Sequence, residues 1–217
     1  MFSCRAILFD LDGTLIDSIA TVDRAWTKWA LRHNLNPDEV VPQIHGRRAI
    51  DSLRRFVPNS DIDIEEEFRW LEQMEAADTE GVVEIDGSLS FLAGLPSHQW
   101  AIVTSGTSPV ATARMGAVGI IPVVAVYGED VENGKPHPDP YLEAARRMQL
   151  EPSECIVFED TRAGILSGQA AGMKVIAVNG GVEKPELDLA DALIANYRQI
   201  TSAQNPDGLR VDITFLK

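Results

Sequence analysis

Short apolar runs recur along the chain at Ala6–Phe9, Trp100–Val103, Val123–Val126, Cys155–Phe158 and Val175–Val178. Each is too short for a buried helix, carries large or β-branched residues, and gives way to turn-forming or charged residues. This pattern predicts strands covered on both faces of a parallel sheet. Helical periodicities lie between them, at Ser108–Met115, Asp139–Met148 and Arg162–Ala171. Strands alternating with helices predict an α/β fold: a doubly wound, Rossmann-like parallel sheet with right-handed crossovers.

Residues 16–86 break the rhythm. They carry three helical patterns, Ile19–His33, Arg48–Phe56 and Ile64–Asp78, with no convincing strand between them. Such an insert predicts an α-helical cap domain with hinges near Leu15–Ser18 and Ile85–Ser88, leaving 1–15 and 87–217 as the core domain. Extra helices packed rigidly on the core are the alternative. Trp26 and Trp29 recur on one face of the first cap helix and are expected in its core. Near the C-terminus, Arg210–Leu216 alternates Val211, Ile213 and Phe215 against polar neighbours, after the turn-forming Asn205–Gly208. A structural hairpin is expected there.

The 217 residues are 45 % apolar and 24 % charged, enough to bury a core without disulfides or a structural metal. Acidic residues number 33 against 19 basic ones, giving a formal charge of −14 and a pI near 4.6. Such a surface repels nucleic-acid phosphates and anionic lipids, so neither is expected as a partner. An anionic small substrate would need a locally positive site, which makes basic residues in a pocket informative. Cys4 and Cys155 have neither metal-binding nor redox spacing and read as packed core thiols. Low cysteine use suits a reducing compartment. Asp10 and Asp12 interrupt the apolar stretch that a signal peptide would need, and no apolar run approaches the ~20 residues of a membrane span. A cytoplasmic monomer is expected.

Asp10-Leu11-Asp12-Gly13-Thr14 follows directly on the run Ala6–Phe9. Ligands of open α/β sheets bind beyond the carboxyl ends of strands. Two carboxylates two residues apart on an extended strand point the same way, and their repulsion calls for a cation. Oxygen ligands favour Mg²⁺. Gly13 permits a sharp turn, and Thr14 can cap it. After the second strand, Thr104-Ser105-Gly106 offers a hydroxyl and backbone N–H groups for phosphate oxygens. Lys135, in the Pro-bracketed loop Gly134–Pro138, suits charge stabilisation of a transferring phosphoryl group. Glu159-Asp160 follows the fourth strand and adds acidic metal ligands. Singly, each has a plainer reading: turn-forming aspartates, helix N-caps, a solvated lysine. Because each follows a predicted strand, all converge at one sheet edge.

The motifs Phe9–Leu15 (FDLDGTL), Ile102–Gly106 (IVTSG), Gly134–Tyr141 (GKPHPDPY) and Phe158–Gly164 (FEDTRAG) resemble, in order and spacing, the four motifs of the haloacid dehalogenase-like hydrolase superfamily. The resemblance covers essentially the whole chain. The helical insert resembles the type-1 cap of the β-phosphoglucomutase-like branch. Within that branch, His45–Asp51 (HGRRAID) with GKPHPDPY is similar to sugar phosphatases, including the glycerol-3-phosphate and 2-deoxyglucose-6-phosphate phosphatases. This implies a Mg²⁺-dependent phosphatase of small sugar or polyol phosphates, such as hexose 6-phosphates or glycerol 3-phosphate, working through a phospho-aspartyl intermediate.

The resemblance makes Asp10 the nucleophile and Asp12 the general acid and base. It implies Mg²⁺ held by the Asp10 carboxylate, the Asp12 backbone carbonyl and Asp160, with Glu159 an added ligand or support. Thr104 and Ser105 would bind phosphoryl oxygens, and Lys135 would bridge phosphate and Asp10. Leu11 joins Ser105 as substrate-binding. In the cap, Ile44–Arg48 links two helical patterns. Gly46 would allow close substrate approach, and His45, Arg47 and Arg48 would supply contacts to hydroxyls or phosphate. A sugar phosphomutase of the β-phosphoglucomutase type shares this chemistry and stays open at this point. A carbon–halide hydrolase would leave Asp12 and Glu159-Asp160 without purpose, and a non-catalytic protein would usually have lost one of the core residues.

Overall fold

The computed structural model describes residues 1–57, 62–182, 184–205 and 208–213. In chain order these form β1 (Phe2–Cys4), β2 (Ala6–Phe9), β3 (Ile16–Asp17), α1 (Ile19–Arg32), α2 (Pro37–Val40), α3 (Ala49–Phe56), α4 (Ile64–Ala77), β4 (Val83–Glu84), α5 (Ser88–Ala93) and β5 (Trp100–Val103). There follow α6 (Ser108–Val118), β6 (Ala125–Val126), α7 (Asp139–Met148), β7 (Cys155–Glu159), α8 (Arg162–Ala170), β8 (Lys174–Val178), β9 (Ala192–Ile194), β10 (Ile200–Asn205) and β11 (Gly208–Ile213).

The expected parallel sheet is present, in the order β6-β5-β2-β7-β8-β9. β2 and β5 are apolar at every position because both faces of the sheet are covered. On one face Phe9, Phe91, Phe158 and Tyr197 pack together; the Phe9 and Phe158 rings lie 5.1 Å apart. On the other, Leu8 and Val157 share a core with Tyr141 and Ala144 of α7 and Ile165 of α8. From β2 the chain moves to β5 and β6 on one side, then returns to β7, β8 and β9 on the other. The sheet therefore has its topological switch beside β2, where such sheets place their ligands.

Helices α1 and α3–α4 fall within a residue or two of their predicted bounds. Helix α4 starts where Asp63 accepts from the N–H groups of Glu65 and Glu66, with three glutamates in the first turn complementing the helix dipole. These helices have a core of their own around Trp26, Trp29, Leu53 and Leu71. Trp29 is fully buried, stands edge-to-face to Trp26 at 5.4 Å, and donates its indole N–H to Glu67.

The structure departs from the sequence pattern in several short elements. The stretch 16–86 does contain strands: β3 and β4 pair antiparallel, joining Ile16 to Glu84 and Asp17 to Val83. The two crossings between sheet and helices are thus zipped together, with Ile85 N–H and Ser88 Oγ both donating to the Leu15 carbonyl. Two-residue strands leave no periodicity to read. The run Val123–Val126 forms a strand only over Ala125–Val126, and the short α2, α5 and edge strand β9 carry no pattern long enough to predict. The C-terminal hairpin exists as β10–β11, and β1 adds to it as a third strand. Phe215 and Leu216 lie outside the described residues. Cys4 and Cys155 are buried free thiols, each pushed up to about 12 chiefly by burial. No helix among the described residues is long and apolar enough to cross a membrane.

Trp29→Ala would empty the centre of the helical layer and remove a donor from buried Glu67. The expected cost is about 3–5 kcal/mol of stability, read as a lower midpoint in urea unfolding at unchanged m-value.

Candidate active site

Phe9 is in register with both Ile102 and Phe158, so the residues after them emerge at one level of the sheet edge. There Asp10, Glu159 and Asp160 bring carboxylate oxygens within 4.8 Å of one another. Lys135 reaches in from the loop before α7. Its ammonium donates to Asp10 Oδ1 at 2.5 Å, Glu159 Oε1 at 2.6 Å and the Val103 carbonyl at 2.9 Å. These contacts engage all three of its N–H donors, so in this arrangement Lys135 acts on Asp10 by charge and hydrogen bond from behind the cavity wall.

Glu159 is fully buried and accepts five hydrogen bonds. Lys135 and the Tyr141 hydroxyl donate to Oε1; the N–H groups of Asp160 and Thr161 and the Thr161 hydroxyl donate to Oε2. Thr161 in turn caps α8 through Gly164 N–H. A Cβ on Gly164 would stand 1.6 Å from Glu159 Oε1, which is why only glycine fits there. This saturation makes Glu159 an anchor for Lys135 and the α8 N-terminus. At Gly13, with φ +84°, a Cβ would stand 2.2 Å from Asp160 Oδ2, so the sharp turn after Asp10 exists to let Asp160 in.

Burial raises Asp10 well above the usual carboxylate range; Glu159 and Asp160 add to this and Lys135 opposes it. Burial, then Glu159, pushes Asp160 up to about 7, against the lysines Lys184 and Lys135 and the Thr14 hydroxyl. Burial alone would lower Lys135, but Asp10 and Glu159 more than offset it and hold it above the ordinary lysine range. Three carboxylates therefore share too little positive charge. Lys184 Nζ, 3.6 Å from Asp160 Oδ2, supplies part of it. A hard divalent cation fits this all-oxygen donor set.

Asp12 behaves differently from expectation. β2 ends at Phe9, and the Leu11 carbonyl accepts from the N–H groups of Thr14, Leu15 and Ile16. The chain is thus already turning, and strand alternation no longer applies. The Asp12 side chain lies outside the acidic cluster. Its Oδ1 accepts from Ser18 Oγ at 2.5 Å and from Arg114 Nη1 at 3.0 Å. The Leu11 side chain is buried in the core, so it can serve a ligand only through its backbone N–H.

A cavity of about 650 Å³ opens over this edge, between the sheet and the helical layer. Asp10, Asp12, Thr104, Ser105 and Asp160 line its floor. The Thr104 hydroxyl is tied to Gly106 N–H at 3.0 Å. His45, Gly46 and Arg47 line its roof. His45 Nε2 lies 3.2 Å from Asp23 Oδ1. Gly46 serves close packing of the chain on itself: its carbonyl accepts from Ser105 Oγ at 3.3 Å, and a Cβ there would stand 2.8 Å from Thr161. Arg48 does not reach the cavity. Its guanidinium donates to Asp51 and to the carbonyls of Val131 and Glu132, at 3.1 and 3.0 Å. Its place among substrate-binding residues is therefore corrected: it clasps the loop that leads to Lys135. Trp26 is core as expected, but it also forms part of the cavity wall.

Sequence reading missed Arg114, Glu75, Ser18 and Tyr141. Arg114, buried on α6, donates to Asp12 and, through Nη2, to Glu75 Oε2 of α4 at 2.8 Å. One signal was available. Val110, Ala111 and Met115 form the buried face of α6, and Arg114 sits in that stripe.

Glu159→Gln would set an amide N–H₂ against N–H donors and leave Lys135 short of a counter-charge. Breaking such a buried pair is expected to cost about 3–5 kcal/mol, measurable by chemical denaturation.

The model of the haloacid dehalogenase-like hydrolase family matches residues 7–178. The chain is 49 % identical over 212 residues to hexitol phosphatase A of Escherichia coli, covering 94 % of this chain and 97 % of that one. It is 32 % identical to 2-deoxyglucose-6-phosphate phosphatase 1 of Saccharomyces cerevisiae, over 94 % and 92 % of the two chains. Among solved structures, a hydrolase from Pseudomonas syringae superposes with a TM-score of 0.78 at 25 % identity, covering 88 % of this chain and 94 % of that one. With its acidic cluster and buried lysine at the same sheet edge that carries the matched motifs, the chain belongs to the haloacid dehalogenase-like hydrolases.

Proposed function

We propose that this chain is a Mg²⁺-dependent phosphatase of small sugar or polyol phosphates, with Asp10 as nucleophile. The observation that carries the reading is the meeting of Asp10, Glu159 and Asp160 oxygens within 4.8 Å, with Lys135 on Asp10, at the floor of a cavity that also holds Asp12. Asp10 and Asp160 would hold the cation, with the Asp12 backbone carbonyl. Bound there, the cation supplies charge neutralisation for the phosphoryl oxygens and for the carboxylates around it.

Asp10 attacks phosphorus as the bond from phosphorus to the ester oxygen breaks, and Asp12 gives its proton to the departing alkoxide. Asp12, now a carboxylate, takes a proton from water. That water attacks phosphorus, releasing inorganic phosphate and restoring Asp10. Thr104, the Ser105 N–H and the Leu11 N–H are the protein's donors for the phosphoryl oxygens. Residues 16–86 act as the cap over a core of 1–15 and 87–217, a reading supported by their separate hydrophobic core and the paired crossings β3–β4. The cavity suits a molecule of sugar size. Relatives at 49 % and 32 % identity are both phosphatases by name, which favours hydrolysis over mutase chemistry.

Purified protein with Mg²⁺ should release inorganic phosphate from at least one of glucitol 6-phosphate, 2-deoxyglucose 6-phosphate and glycerol 3-phosphate. EDTA should silence it and added Mg²⁺ restore it. Asp10→Asn should remove turnover while leaving the unfolding curve in place; residual metal-dependent turnover in that variant would refute the nucleophile. Arg47→Ala should raise KM for the preferred sugar phosphate by about tenfold and change p-nitrophenyl phosphate turnover far less. Equal loss on both esters would remove Arg47 from the recognition surface.

A further inference from the structure

Arg114 joins two parts of the molecule through one guanidinium. Nη1 donates to Asp12 Oδ1 at 3.0 Å, and Nη2 donates to Glu75 Oε2 at 2.8 Å. Asp12 belongs to the turn after β2, whereas Glu75 belongs to the last turn of α4 in the helical layer. The guanidinium and both carboxylates line the cavity. Ser18, just beyond β3, donates to the same Oδ1 of Asp12. Among the described residues Asp12 Oδ2 has no hydrogen-bond partner. One oxygen of Asp12 is therefore held from two sides, and the other is left for the cavity.

Stability gives a poor reason for this arrangement. A buried ion network is often no more stable than an apolar replacement of similar size, because desolvation offsets the attraction. The other buried residues of α6, Val110, Ala111 and Met115, are apolar. Arg114 Nε, moreover, is buried without a hydrogen-bond partner, a further cost. What the guanidinium does provide is a planar fork whose two N–H groups fix the direction of two carboxylates at once.

We propose that Arg114 is the positioning residue that aims Asp12 Oδ2 at the leaving oxygen of the substrate, and that Glu75 makes this aim depend on the helical layer being docked. The inference rests on the phosphatase reading above. If α4 moved away, Arg114 would lose Glu75 as the restraint on its fork, and its bond to Asp12 would no longer be fixed in direction. Acid assistance would then be confined to the docked, water-excluding state.

The test uses leaving-group chemistry. An alkoxide leaves only with a proton, whereas p-nitrophenolate leaves without one. The quantity kcat/KM reports steps up to phosphoryl transfer to Asp10, so it isolates Asp12 as acid from Asp12 as base. For Arg114→Gln, kcat/KM with whichever of the three alkyl esters above the wild type prefers should fall by about 100-fold while that with p-nitrophenyl phosphate stays within about threefold. For Glu75→Gln, which keeps the fold and an acceptor, the corresponding loss should be about tenfold on the alkyl ester alone. Arg114→Lys should fall between wild type and Arg114→Gln. Should Arg114→Gln fail to fold, Glu75→Gln and Arg114→Lys decide. Equal losses on both esters, or no loss on the alkyl ester, would overturn the proposal. Wild-type protein inactive on p-nitrophenyl phosphate and on all three alkyl esters named above would overturn the phosphatase reading and this inference with it.

Discussion

The carboxylate of Glu159, buried with no exposure to solvent, is the constraint around which the site is built. An unpaired charge in that position would be prohibitively costly, so it must collect donors. It collects five, from the loop after β6, from α7, and from the start of α8. Each donor is thereby fixed relative to the end of β7. Lys135 is aimed at Asp10, Thr161 is set to cap α8, and Gly164 is required because nothing larger clears the carboxylate. The catalytic constellation is thus held by a group that has no spare valence for a ligand of its own.

The helical layer and the sheet touch through polar contacts made at functional places. Gly46 sits on Ser105 and Thr161, Arg48 clasps the carbonyls before Lys135, and Glu75 holds Arg114 against Asp12.

The charge distribution follows the same economy. A chain of net charge −14 repels anionic esters in general. Yet Arg47, Arg55, Arg114, Arg162 and Lys184 all line one cavity. They share that lining with Asp10, Asp12, Glu72, Glu75, Asp160 and Glu186. Within the site the balance is still negative, with Asp10 and Asp160 held above their ordinary titration range, and that deficit is what a divalent cation would correct.

The sequence by itself determined the α/β class, the central strands and the sheet-edge motifs, because buried parallel strands and strand-end turns leave continuous, local patterns. Asp10, Lys135, Glu159 and Asp160 were legible for that reason. Tertiary structure alone decided that Asp12 turns away from the acidic cluster, since its direction depends on the turn closed by Leu11 and Gly13 rather than on strand alternation. It likewise decided that Arg48 grips the core instead of facing the cavity. It also decided that Arg114 and Glu75, which lie far apart in sequence within ordinary helices, share one guanidinium bridge. Side-chain direction and long-range pairing come from packing between elements, and no periodicity along the chain encodes them.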